Sequence, residues 1–372
     1  MIETINFKNG VFSTSMIEEL IDIGAIKLND ALDIAQIQPA SLDLRLGNKA
    51  YRIRASFLPG PEFSVADRIE DLKLHEIDLS EGAVLERGCV YLVPLLESLD
   101  LPSEVSASTN PKSSTGRLDV FTRTIGDRAR GFDVLPKGYK GPLYIEISPR
   151  TFPILVRKGS RLSQMRFRTG DNLLNIEEHI ALHKQQTLVF NPNMEVSNGV
   201  ALSIDLRGEE RNGLIGFRSK RHTAVIDVDK KGALEVLDFW DPLYANAKNE
   251  LILDPEEFYI LVSRESLQVP PDYAAEMVPF DPLVGEFRVH YAGFFDPGFG
   301  HSEAGGEGSC AVLEVRSREV PFLLGHGQTI GRLLYERMSE RPEQLYGTDL
   351  GSNYQAQRLK LSKHFKEYIP NK

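Results

Sequence analysis

YLVPLLESLDLPSEV, from Tyr91 to Val105, returns 168 residues later as YILVSRESLQVPPDY, from Tyr259 to Tyr273. Tyr91 pairs with Tyr259, the ESL triplet at Glu97 with that at Glu265, and Pro102 with Pro270. YIEISPRTFPILVRKG, from Tyr144 to Gly159, matches VLEVRSREVPFLLGHG, from Val312 to Gly327, at the same offset. Earlier in the chain, SLDLRLG at Ser41 reads against SIDLRG at Ser203, an offset of 162 that implies small insertions. A unit this long is too large for a solenoid repeat, so the pattern predicts two homologous domains in tandem. The expected division is residues 1–178 and 179–372, with HIALHKQQTLVF at His179 to Phe190 as the crossing. The 372-residue length suits two domains of ordinary size.

Within each unit, short alternating runs such as SLDLRL, VYLVPL, LYIEI and RLSQMRFR are broken by Gly and Pro every eight to twelve residues. This predicts an all-β chain of short antiparallel strands, in a barrel or sandwich, with few short helices. The clearest helix is SMIEELIDIG, capped by Ser13 or Ser15, with Met16, Ile17, Leu20 and Ile21 on one face and Gly24 as its stop.

Composition is that of a soluble globular protein, 41% apolar and 26% charged. No apolar run approaches a membrane span, and the first residues show no signal-peptide pattern. Only Cys89 and Cys310 occur, so a reducing, cytoplasmic setting is expected. The net charge of -10 argues against a nucleic-acid polymer as partner. A small anionic ligand is still allowed where a few cations gather locally.

Two stretches carry chemistry. NPKSSTGRLDV, from Asn110, packs Lys112, Ser113, Ser114, Thr115 and Arg117 around Gly116, residue types suited to holding oxyanions. It is not a Walker loop. The second unit has FDPLVGEFR there, with Asp281 and Pro282 in place of the serines, Glu286 opposing a phosphate and Arg288 as the nearby cation. Glu146 and Glu314 occupy equivalent places inside apolar strands. Alternation in AVLEV sets Val312 and Glu314 on one face and Ala311, Leu313 and Val315 on the other. Either glutamate can be a solvent-facing strand residue or a rigidly held general acid/base. The turn FFDPGFG, with Asp296 before Pro297 and Gly298, favours Glu314. One unit thus keeps the anion loop and the other the better acid–turn–glutamate arrangement, as expected of one composite site built from unequal halves. His179 and His183 could share a helical face, but no third metal ligand accompanies them.

KSSTGR, the DPG turn followed by VLE, QPASLDLRLGNKAYRIR near the start and YGTDLGSNYQAQRLKLSKHF near the end together resemble the dCTP deaminase family, relatives of the trimeric dUTPases. The resemblance implies two tandem dUTPase-like distorted β-barrel or jelly-roll domains in a double-length chain. It implies hydrolysis of the 4-amino group of dCTP to give dUTP and ammonia, without a catalytic zinc. By resemblance Glu314 is the general acid/base, and Ser113 and Arg117 orient water and ligand. Lys112, Ser114, Thr115, Gly116, Asp296, Val312, Leu313, Tyr346 and Gln357 bind substrate. Lys112 stands where the family commonly has Arg, Asn353 where it has Lys, and Phe294 where it often has Arg. Mg²⁺ is implied through the triphosphate, and a homo-oligomer, a trimer, through the relatives. Alternative readings are a dUTP diphosphatase or bifunctional enzyme, with Asp296 or Asp133 aimed at the α-phosphate, and a catalytically silent nucleotide-binding protein.

Overall fold

The computed structural model describes residues 7–191, 195–197, 199–278, 288–290, 293–317, 319–347, 354–355 and 357–370. The first helix, Thr14–Asp22, is capped by the Ser13 hydroxyl, which accepts from the Met16 N–H. It buries Met16, Ile17 and Leu20 and ends at Gly24 in the left-handed region. These are the residues that the 3.6-residue period selects.

In the first half, Val134–Leu135, Ser106–Pro111, Arg161–Thr169, Ser41–Arg45 and Ile37–Gln38 form one sheet in that order. Val120–Gly126, Lys140–Pro149, Val90–Asp100, Lys49–Ile53 and Lys73–Asp78 form another. The second half repeats the plan, with Gly199–Ser203, Thr329–Arg337 and Tyr273–Val278 central in one sheet, and Leu214–Ser219, Tyr259–Leu267 and Ser309–Arg316 in the other. Registers agree: Glu146 lies opposite Leu92 and Glu314 opposite Ile260, the second pair standing one repeat offset after the first.

The expectation of barrel or jelly-roll domains is corrected. Among the described residues the strands lie in small, mostly antiparallel sheets whose orders do not close. One sheet takes strands from both halves: Ile226–Asp227 pairs in parallel with Ile154–Val156, which pairs in turn with Ala83–Leu85. Alternation decides which face a residue takes, whereas closure needs tilt and stagger to agree around a whole ring, and no local pattern encodes that. The SLDLRLG–SIDLRG alignment is also corrected. Leu42 pairs with Met165 and Val200 with Leu333, so the counterpart of Ser41–Arg45 is Gly199–Ser203. Glu97 accordingly accepts from the Arg45 N–H, and Glu265 from the Ser203 N–H, both at 2.8 Å.

The largest apolar cluster runs through the first half and across the join. Phe152 of the first half meets Phe239 and Trp240 of the second edge-on, with ring centroids 5.7 and 5.4 Å apart. Phe365 packs on Trp240 from the chain's end, at 5.9 Å. Burial of such rings dominates local packing energy and fixes the two halves as one body.

Candidate active site

KSSTGR forms a single helical turn, Ser113–Gly116, between the strands Ser106–Pro111 and Val120–Gly126. The N–H groups of Thr115 and Gly116 bond the Lys112 carbonyl, and that of Arg117 bonds Ser113 O. The backbone thus satisfies itself at those positions, and the side chains of Lys112, Ser113, Ser114 and Arg117 face a cavity of about 530 Å³. Thr115, Gly116 and Leu313 are buried and do not line it.

The opposite wall belongs to the second half. Strand Ser309–Arg316 turns Val312 and Glu314 into the cavity, while Ala311, Leu313 and Val315 enter the second half's core. Glu314 Oε1 lies 3.7 Å from Arg117 Nε, and both side chains are buried. Burial drives the Glu314 carboxyl up to about 8, with Arg117 pulling it partly back. At neutral pH it therefore carries a proton.

Arg117 is fixed by the chain's tail. Its Nη2 donates to Gln357 Oε1 and its Nη1 to Lys360 O, each at 3.0 Å, and the guanidinium sits 3.9 Å above the Tyr354 ring. Gln357 Nε2 donates in turn to Cys310 O at 3.1 Å, laying the tail along the glutamate strand. Tyr346 enters through the DPG turn, where its N–H donates to Pro297 O at 2.8 Å. Gly298, at φ 95°, is needed there: a Cβ would stand 2.8 Å from Leu345 Cβ and 3.1 Å from Tyr346 N.

Asp296 lines the cavity, buried, with its carboxyl pushed upward by desolvation and opposed by Arg166. Arg166 Nη2 lies 3.2 Å from Asp296 Oδ1, and its guanidinium stacks 4.1 Å from the Phe294 ring. Sequence reasoning passed over Arg166, a cation from the first half that stands over Phe294. Alternation in RLSQMRFR groups Arg166 with Gln164 and Arg168, opposite Met165 and Phe167, so no local signal marked it as buried. Also missed were Tyr354, Asp43, which pairs with Lys112, and Lys231 on the cavity wall, where Lys363 of the tail also stands. Residues 281–286 and Asn353 lie outside the described residues.

Glu146 stands apart. Arg123 donates to its Oε1 through Nη2 at 2.6 Å and Nε at 3.1 Å, and the guanidinium is stacked 3.6 Å from the Phe132 ring. Asp133 is outside the cavity, held by the Thr124 N–H at 2.7 Å and the Thr109 hydroxyl at 2.8 Å. His179 is a core residue whose Nε2 accepts from the Tyr335 N–H at 3.2 Å. Among the described residues no group of three or more His, Cys, Asp or Glu side chains could hold a metal ion.

Two family models match the chain: the N-terminal domain of 2'-deoxycytidine 5'-triphosphate deaminase (DCD) over residues 8–171, and its C-terminal domain over residues 175–365. A "dCTP deaminase, dUMP-forming" of Beutenbergia cavernae is 32% identical over 143 residues, covering 37% of this chain and 69% of that protein. A "dCTP deaminase" of Halorubrum lacusprofundi is 30% identical over 135 residues, covering 36% and 63%. The crystal structure of 2'-deoxycytidine 5'-triphosphate deaminase from Agrobacterium tumefaciens superposes with a TM-score of 0.86 at 65% identity, over 89% of this chain and 99% of that one. The chain belongs to the 2'-deoxycytidine 5'-triphosphate deaminase family.

Proposed function

We propose that this enzyme hydrolyses dCTP to dUTP and ammonia in the cavity between its halves. The observation that carries the reading is the meeting of Arg117 and Glu314 at 3.7 Å, with the carboxyl raised to about 8. A carboxyl protonated at rest gives its proton to the pyrimidine N3 as water adds to C4. The carboxylate so formed takes a proton from that water. Glu314 then protonates the 4-amino group and accepts the proton of the new hydroxyl, so that C4 becomes a carbonyl, ammonia leaves and the acid is restored. Water supplies the oxygen, and no oxidant or reductant is required.

Ser113 and Arg117 orient the water and ligand in this reading, and Lys112, Ser114, Asp296, Val312, Tyr346 and Gln357 bind the nucleotide. Their convergence on one cavity supports those roles. Thr115, Gly116 and Leu313 contribute by shaping the turn and strand that carry them. Mg²⁺ enters as part of the substrate, on its triphosphate. The division into residues 1–178 and 179–372 is offered on the same footing. Helix Ile176–Gln185 at the join sends Leu182 into the second half's core. A homotrimer follows from the resemblance, although this site draws both its walls from one chain. Among the described residues no helix is long and apolar enough to cross a membrane, and a cytoplasmic place of action suits a nucleotide substrate.

The dUMP-forming names of several relatives favour a second reading, in which dUTP is hydrolysed further. Incubation with dCTP and Mg²⁺ separates the cases. Ammonia with dUTP supports deamination alone, ammonia with pyrophosphate and dUMP the bifunctional reading, and no ammonia a silent nucleotide-binding protein.

A further inference from the structure

Residues 226–232 of the second half, IDVDKKG, leave their own sheets and lie against the first half. Ile226–Asp227 pairs with Ile154–Val156. Arg157 grips Asp227 with a two-pronged fork, Nη1 to Oδ1 at 2.8 Å and Nη2 to Oδ2 at 2.9 Å. Asp229 accepts from the Ser160 hydroxyl at 2.7 Å. Beyond this anchor the segment meets the tail: the Gly232 N–H donates to Lys363 O at 2.9 Å, and His364 Nε2 lies 2.9 Å from Val228 O. Between the two anchors Lys231 reaches the cavity wall, with Lys363 facing it from the tail and Lys112 from the KSSTGR turn.

This grouping is costly by itself. Lys112 is neutralised by Asp43, but among the described residues no carboxylate oxygen lies within 4.0 Å of the Lys231 or Lys363 ammonium. Burial and then the neighbouring Lys112 and Lys231 pull the Lys363 ammonium down to about 8, with Asp43 and Asp229 pulling it partly back. Like charges gathered on one cleft wall repel, and an anion placed between them reverses the sign.

We propose that Lys231 recognises the outer phosphates of the nucleotide, delivered by an arm of the second half that Arg157 clamps to the first and set beside Lys363 and Lys112. The proposal rests on reading the cavity as a nucleotide site. It goes further in assigning phosphate recognition to a segment outside the KSSTGR turn. Lys231 is exposed, so its replacement does not threaten the fold.

The test is calorimetric titration of the full chain with the Mg²⁺ complex of α,β-imido-dUTP, which cannot pass to dUMP, and separately with dUMP. The expected result for K231A is about tenfold weaker binding of the triphosphate analogue with dUMP affinity unchanged, and near-normal binding for K231R. R157M, which frees the arm, should weaken the triphosphate analogue in the same selective way. Unchanged affinity for the analogue in K231A overturns the proposal, as does an equal loss for both nucleotides. If the wild-type protein releases ammonia from dCTP while K231A binds the analogue normally, this inference alone fails. A wild-type protein that binds neither nucleotide brings down the nucleotide reading and this inference with it.

Discussion

Arg316 Nη2 donates to Asp119, joining the glutamate strand of the second half to the residue that follows the KSSTGR turn of the first by two. The same nitrogen donates to Thr151 Oγ1 at 2.9 Å. Glu314 and Arg117 each lie two residues before a member of this buried pair. The pair therefore works as a dowel that holds acid/base and guanidinium in register. Arg316→Met leaves the Asp119 carboxylate buried without its cation. Loss of about 3 kcal/mol or more is expected on urea unfolding, together with a fall in kcat, although neither residue lines the cavity. An unchanged midpoint would show that the dowel carries no load.

Glu314→Gln keeps the shape of the side chain and removes its proton chemistry. Deamination should fall by about 100-fold or more in kcat, while binding of α,β-imido-dUTP is retained. Single-turnover ammonia release gives the first quantity and calorimetry the second. Loss of binding with an undiminished rate for the nucleotide that does bind would place the role of Glu314 elsewhere.

Arg117 lowers the Glu314 carboxyl from where burial alone would set it. Arg117→Met therefore raises that pKa further. The limb of the kcat/KM profile that reports this group should move to higher pH, and Arg117→Lys should move it less. Tail anchoring through Gln357 and Lys360 is lost as well, so the overall rate drops in both variants. A profile that keeps its shape while sinking would leave only the anchoring role.

Stability gives an independent reading of the same carboxyl. Its folded pKa of about 8 exceeds the ordinary 4.5, so between those values the native state holds a proton that the unfolded chain has released. Stability thus falls as pH rises through this window, by at most about 1.4 kcal/mol per unit from this one group. Glu314→Gln should gain on the wild type in thermal midpoint as pH goes from 5 to 8. A constant gap across that range would mean that Glu314 is not held protonated.

Glu146 is predicted to be structural. Bound to Arg123 through two nitrogens and absent from the cavity lining, it is not expected to serve as a base. Glu146→Gln should leave the deamination rate unchanged and lower the thermal midpoint, because the partly buried Arg123 loses its counter-charge. Loss of half the activity at full stability would point instead to a second working site.

The repeat, the strand content, the capped first helix and the division of AVLEV into two faces were all legible in the chain, because periods of 2 and 3.6 residues are set by local backbone geometry. KSSTGR and Glu314 stood out for a related reason, since chemistry-bearing side chains inside short apolar elements break the local pattern. Sheet closure, the four-residue displacement between SIDLRG and the true counterpart of SLDLRLG, and the partners of Arg166 and Asp43 had no such signature. Each depends on segments more than 60 residues apart meeting at one place, and the energy that brings them there is spread over the aromatic and aliphatic join between the halves. Local order follows from neighbours along the chain, whereas a site shared by two halves exists only once that join has packed.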